Sequence, residues 1–206
     1  MAPATCSPAS APVPYRRVDF DFQYASMVKD TSARLYVVPI EPAVVIQTTP
    51  VTLATSAEDE TVPFVYLAPD DSLKAFFQKT EEAICDACVA NKNDWFAVAK
   101  NLEDDVLRRG FKSFFSKDGF KIKVPSDVAC FDSAKNPLGR EDLPAGSVVR
   151  AVLELSRVCF GRHEYGATWK VVQFQKVETE CLIQDAVDHP EPEADHESDS
   201  DVNEFL

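Results

Sequence analysis

The longest alternating pattern of apolar and polar residues lies between Ser147 and Val177. In its first half every second residue from Val149 to Leu155 is apolar, and Arg150 and Glu154 lie between them. This period of two is typical of a strand with one buried face. A second β-rich run follows the short polar connection at residues 161–164. The pattern therefore predicts a hairpin of two long strands.

Three apolar runs in the first third of the chain predict further strands, at residues 34–40, 43–54 and 62–68. Glu41-Pro42 separates the first two runs. Pro39 and Pro50 lack a backbone donor, so we expect edges or interruptions where they occur.

The period then changes to the spacing of a helix, which predicts a helical insertion at about residues 71–109. Asp71 or Ser72 is the predicted N-cap, and Gly110 is the predicted stop. Beyond the turn at Asp118-Gly119, apolar residues alternate with Lys121 and Lys123, which predicts a strand with its lysines outward. The chain is thus expected to be mainly β with a helical insertion.

Composition divides the chain into three parts. Residues 1–17 are rich in Ala, Pro and Ser and are expected to be a disordered leader. Residues 185–206 contain nine of the 34 acidic residues and no Lys or Arg, so they are expected to be a disordered acidic tail. Without those nine, 25 acidic residues face 21 basic ones, a net charge of −4 instead of −13. Residues 18–184 are expected to form the folded domain.

Enzymatic chemistry is not expected. Only three histidines occur, and His189 and His196 lie in the acidic tail. No phosphate-binding glycine motif and no nucleophile elbow is present. Cys85 and Cys88 form a CxxC pair, but they fall late in the predicted helix, where two buried thiols are expected instead of a metal or redox site. No cofactor or metal is therefore predicted.

The sequence also suggests a location. No apolar run reaches the roughly 20 residues of a membrane span, and the first residues lack the pattern of a signal peptide. The six cysteines are expected to be reduced thiols of an intracellular protein with no membrane partner.

Basic and aromatic residues are interleaved in two segments, around residues 111–123 and 150–170. Such a mixture is typical of proteins that bind single-stranded nucleic acid, because bases stack on aromatic rings while cations contact phosphates. The same mixture also occurs on ordinary amphipathic strands. The candidate DNA-binding residues are Lys112, Lys121, Lys123, Arg150, Arg157, Tyr165, Trp169 and Lys170, with Tyr165 and Trp169 as the stacking rings.

The acidic tail ends in Glu204, Phe205 and Leu206. An acidic peptide with a hydrophobic anchor suits a basic-rimmed pocket on a partner protein. A tail that only confers solubility is the simpler alternative.

Gly166, Trp169, Lys170 and Gln173 form a G-x-x-W-K-x-x-Q pattern. Together with the acidic tail, this segment resembles single-stranded-DNA-binding proteins of podophages and large nucleocytoplasmic DNA viruses. The resemblance implies an OB-like five-stranded β-barrel that coats exposed single strands, without sequence specificity, during viral DNA replication and recombination.

The resemblance further implies a tail that recruits replication proteins and shields the DNA cleft. It also implies a location in the host cytoplasm or nucleus at sites of viral DNA replication, and it is compatible with a homodimer. The alternative is an acidic-tailed chaperone or assembly factor that binds basic proteins.

Overall fold

The structure is a computed structural model that describes residues 11–31, 35–57, 64–96, 103–161 and 164–178. The described part is mainly β, as predicted. Its strands are β1 (Val13–Pro14), β2 (Val28–Asp30), β3 (Leu35–Gln47), β4 (Val51–Leu53), β5 (Phe64–Ala68), β6 (Phe115–Ser116), β7 (Gly119–Lys123), β8 (Ala129–Phe131), β9 (Pro137–Leu138), β10 (Val148–Phe160), β11 (Tyr165–Ala167) and β12 (Lys170–Lys176). Its α-helices are α1 (Asp71–Ala90), α2 (Lys92–Trp95) and α3 (Asp104–Arg109).

Five strands close into a barrel in the order β4, β5, β7, β12, β10 and back to β4. All neighbouring pairs are antiparallel except β7 and β12, which are parallel. This connectivity is that of the OB fold, with β4 as its first strand, β5 and β7 as its second and third, and β10 and β12 as its last two. The OB-like barrel expected from the sequence is confirmed.

The predicted hairpin supplies the long wall of this barrel. The alternate residues of β10 from Val149 to Leu155 are fully buried, as the period of two predicted. Phe120 and Ile122 of β7 are fully buried as well, and Lys123 on the same strand is exposed. Over these residues the alternation therefore gives the correct inward and outward faces.

The helical insertion lies between β5 and β7 and covers the apolar core. Asp70, one residue before the predicted N-cap, accepts a hydrogen bond from the Leu73 amide at 2.7 Å and caps α1. The buried side of α1 carries Phe77, whose ring stacks on Phe120 with the centroids 3.6 Å apart. Gly110 ends α3, as expected.

The first predicted break is in the wrong place. Glu41-Pro42 does not separate two strands, because β3 continues through it as one strand of 13 residues. The register with β10 shifts between Leu155 and Arg157, next to the residue paired with Pro39, so the sheet accommodates this proline as an irregularity. The break between β3 and β4 occurs later, at residues 48–50, which include Pro50.

The predicted disordered leader also differs from the structure over its described part. Val13–Pro14 pairs with Ile46 and Gln47 of β3. The side chain of Tyr15 is buried, and its hydroxyl donates a hydrogen bond to Ser72 Oγ at 3.0 Å. A buried tyrosine therefore ties the end of this segment to the start of α1.

The described helices contain no segment with the length and apolar character needed to cross a membrane.

Candidate nucleic-acid interface

Five outward side chains meet where β5, β7 and β12 adjoin. Phe64 and Tyr66 of β5 lie directly opposite Lys123 and Lys121 of β7, and Lys123 is in turn the register partner of Lys170 on β12. Both aromatic side chains are half-buried, because the residues that alternate with them on β5 point into the core. We call these five residues the lysine–aromatic face.

One contact within this face is already formed. The ammonium nitrogen of Lys121 lies 4.1 Å from the centre of the Phe64 ring, a cation–π contact. Lys121 is half-buried, so its aliphatic stem packs along the sheet and its charge remains near the surface.

The other two lysines form a pair of like charges. Lys123 and Lys170 are exposed register partners, and the Lys123 amide donates a hydrogen bond to the carbonyl of Trp169 at 2.8 Å. Like charges directly opposite each other destabilise a sheet. Glu154, half-buried on β10, is the cross-strand neighbour of Lys170 on its other side. An anion bound across the two lysines would relieve their repulsion.

Trp169 does not belong to this face, which corrects the prediction that it stacks on bases. Its side chain is fully buried. Its indole lies 5.6 Å from the Phe77 ring and 6.1 Å from the Phe76 ring, between centroids, beneath α1. In this structure the indole offers no free surface to a base.

Tyr165 requires the same correction, because only 4% of its surface is exposed. Its ring stacks on Phe160 with the centroids 5.9 Å apart and meets Phe96 edge-on at 5.4 Å. Burial raises the pKa of the Tyr165 phenol, and the neighbouring Cys88 and Cys85 thiols raise it further. Tyr165 is therefore a core residue between the barrel and the helical insertion.

Lys112 and Arg157 are exposed, but each forms an ion pair. Lys112 Nζ lies 2.8 Å from Glu164 Oε1, and Arg157 donates to Asp30 Oδ2 at 3.1 Å. The second pair joins β10 to β2. Both cations are therefore partly neutralised.

Arg150 is exposed and pairs in register with Gln175. It lies four residues along β10 from Glu154, the residue opposite Lys170, which is about 13 Å of strand. Of the eight predicted residues, the fold thus brings together Lys121, Lys123 and Lys170. Whether any of the six that are not buried contacts nucleic acid stays a prediction.

The G-x-x-W-K-x-x-Q pattern has a structural explanation. A Cβ at Gly166 would lie 3.1 Å from the backbone oxygen of Lys112. The chain is this close because the Lys112 amide donates to the Tyr165 carbonyl at 2.7 Å. Gly166 permits that approach and Trp169 fills the core, while Lys170 of the same pattern reaches the surface.

Sequence reasoning missed Phe64 and Tyr66. The signal was present, because Val65 and Leu67 alternate with them and point inward. Two aromatic residues on the outward side of a strand are a candidate binding surface when the adjacent strand carries lysines.

The CxxC pair is buried on α1, as the sequence predicted. Burial raises the pKa of both the Cys85 and the Cys88 thiols. Within the described ranges, no group of three or more His, Cys, Asp or Glu side chains could hold a metal ion. The predicted partner-binding residues Glu204, Phe205 and Leu206 lie outside the described residues.

Solved structures similar to this chain include three forms of the single-stranded DNA-binding protein from bacteriophage Enc34. The C-terminally truncated form is 13% identical and covers 78% of this chain and 96% of its own, with a TM-score of 0.45. The protein itself is 14% identical over 81% and 96% of the two chains, with a TM-score of 0.45. Its complex with single-stranded DNA is 12% identical over 78% and 97%, again with a TM-score of 0.45.

No curated protein matches the sequence significantly. A family match is nevertheless found for residues 65–191, more than half of the chain, from β5 past the end of β12. The chain belongs to the family of unknown function DUF5871.

Proposed function

We propose that this protein binds single-stranded DNA without sequence specificity through the lysine–aromatic face. The observation that carries the proposal is the meeting of two half-buried aromatic rings and three lysines on the outside of β5, β7 and β12. The second and third strands of an OB fold are where that fold binds oligonucleotides, and here they are β5 and β7.

The composition of the face favours a single strand over a duplex. An aromatic ring can stack only on a base that is not already stacked within a helix, and such stacking typically contributes about 1–3 kcal/mol per base. Lysines are flexible point charges that contact phosphates without reading the sequence. Rings and lysines together therefore bind unpaired strands of any sequence.

From the sequence resemblance we further propose that binding serves viral DNA replication and recombination and involves no catalytic chemistry. The acidic tail would compete with phosphates for the lysines and recruit partner proteins through Phe205 and Leu206. Its nine carboxylates and its lack of basic residues support this role.

The direct test is a titration of a fluorescently labelled single strand of about 30 nucleotides, several times the minimal site of an OB fold. Anisotropy is followed at low and moderate salt with the full chain and with a form that ends at Gln184. We expect salt-dependent binding that tightens when the tail is removed. An unlabelled duplex should compete weakly.

A matched pair of variants locates the site. Replacing Lys121, Lys123 and Lys170 with Gln should reduce affinity at least tenfold. Replacing Lys29, Lys74 and Lys79, which are exposed on β2 and α1, makes the same change in charge and should have little effect. Absence of binding by the full chain and the shortened form at low salt would refute the proposal. The alternative, an acidic-tailed chaperone, would then be tested with basic proteins.

A further inference from the structure

We infer that Phe64 is a positioning residue that holds the Lys121 ammonium group for a phosphate, and that Tyr66 is the ring that accepts a base. This assignment rests on the proposed function, since it gives the two rings of the lysine–aromatic face different roles in binding the strand. It concerns how the face binds a strand rather than whether it does.

The evidence is the direction in which Lys121 extends. Its register partner on β5 is Tyr66, yet its ammonium nitrogen lies over Phe64, 4.1 Å from the ring centre. Phe64 is the diagonal neighbour, two residues along β5. Among the described residues, the cations that lie over aromatic rings are Lys121 and Arg16, and neither covers Tyr66.

The position of the Lys121 ammonium group over Phe64 favours phosphate binding but hinders the stacking of a base on that ring. A free lysine samples many rotamers, and fixing it against a phosphate costs conformational entropy. A cation–π contact restrains the ammonium group before binding, so less entropy is lost on association. The ring face under the ammonium group is in turn occupied, and a base could stack there only by displacing the lysine.

Tyr66 has the complementary properties. It is half-buried on the outward side of β5, between Phe64 and the end of the strand at Ala68. Its backbone is fixed on both sides, because its amide donates to Thr55 Oγ1 at 3.0 Å and its carbonyl accepts from the Ala54 amide at 2.8 Å. A ring on a fixed backbone, without a cation over it, suits a base.

The salt dependence of binding separates the two roles. For single strands, each phosphate contact contributes about 0.7 to the slope of log affinity against log salt concentration. Phe64→Leu keeps an apolar side chain but removes the π face, so it should reduce the magnitude of the slope by up to about 0.7, the same change that is expected for Lys121→Gln. Phe64→Tyr restores a ring and should retain the slope. Tyr66→Leu should weaken binding several-fold while leaving the slope unchanged.

A double-mutant cycle tests the dependence directly. If Phe64 acts through Lys121, the variant with both Phe64→Leu and Lys121→Gln should bind no more weakly than Lys121→Gln alone. Additive losses, with an unchanged slope for Phe64→Leu, would overturn the assignment while the proposed function stands. Absence of binding by the unmodified chain would overturn both. Far-ultraviolet circular dichroism and urea unfolding of every variant establish that each is folded.

Discussion

Lys123 of β7 and Lys170 of β12 are register partners with both side chains exposed, in the parallel pairing that helps to close the barrel. Two ammonium groups on adjacent strands repel each other, and the barrel tolerates this repulsion at the surface where we propose that phosphates bind. The arrangement is unfavourable for the free protein and favourable for the complex.

Removing one of these charges should therefore raise the stability of the free protein and weaken its binding to single strands. We expect Lys123→Gln to raise the free energy of unfolding by about 0.2–1 kcal/mol, because a like-charged cross-strand pair is lost. The same variant should bind single strands more weakly. Urea unfolding and anisotropy titration measure the two effects, with Lys74→Gln on α1 as the control that changes neither. A destabilised Lys123→Gln protein would contradict this account of the pair.

Trp169 should matter for stability and not directly for binding. Because the indole is fully buried, Trp169→Ala should cost about 3–5 kcal/mol of stability, and Trp169→Phe should cost less. The Phe variant, if folded, should bind a single strand with nearly the original affinity.

Tryptophan fluorescence gives an independent readout of the same point. Trp95 and Trp169 are both buried, so emission from the native protein should be blue-shifted and little quenched by added single strands. Strong quenching on binding would instead restore the stacking role that the sequence suggested.

Gly119 should tolerate substitution less well than Gly146, the other glycine with positive φ among the described residues. It has φ +122°, and a Cβ there would lie 2.6 Å from the Leu67 carbonyl oxygen, where β7 pairs with β5. Gly119→Ala should cost several kcal/mol, because both the backbone conformation and the strand pairing resist it. Gly146 has φ +88° but nothing within 4 Å, so Gly146→Ala measures backbone strain alone and should cost less. Equal losses in urea unfolding would refute the steric argument.

Stability should fall in alkaline solution. Burial raises the pKa of the Cys85, Cys88, Cys130 and Cys159 thiols above the ordinary value of 9.0. Above about pH 9 the unfolded chain loses these protons while the folded chain keeps them, so the free energy of unfolding decreases as pH rises.

Urea unfolding at pH 7, 8.5 and 10 under reducing conditions measures this decrease. Cys88→Ala should show a smaller decrease between pH 8.5 and pH 10 than the unmodified chain, although its stability at pH 7 will differ because a buried group is changed. The native Cys85 and Cys88 thiols should also react slowly with a maleimide at pH 7 and rapidly in urea. Parallel pH profiles for the two proteins would contradict the role of the Cys88 thiol.

The strands are predictable from the sequence where one face is uniformly apolar. In β7 and in β10 from Val149 to Leu155 every inward residue is apolar, and the alternation alone assigns the correct faces. It also assigns the outward directions of Lys121, Lys123 and Lys170. These predictions depend only on neighbours along the chain.

The burial of Trp169 and the ion pair of Arg157 are not predictable in this way. Alternation places Trp169 on the opposite side of the strand from Lys170, but it does not show that this side is covered by other parts of the protein. The rings that bury Trp169 come from α1, far away in the sequence. Arg157 likewise finds its partner Asp30 at a separation of 127 residues. Tertiary contacts, which no local pattern encodes, decide both positions.

The position of the helical insertion has a consequence for how the lysine–aromatic face is assembled. The chain leaves β5 at Ala68 and returns in β7 only at Gly119, after the whole insertion. Phe64 and Lys123 become neighbours only after this large loop has closed, which is a non-local and entropically costly step. A short peptide that carries either strand would therefore lack the assembled surface. If the protein binds DNA as proposed, the binding capacity measured in a preparation should accordingly report the fraction of molecules that have completed folding.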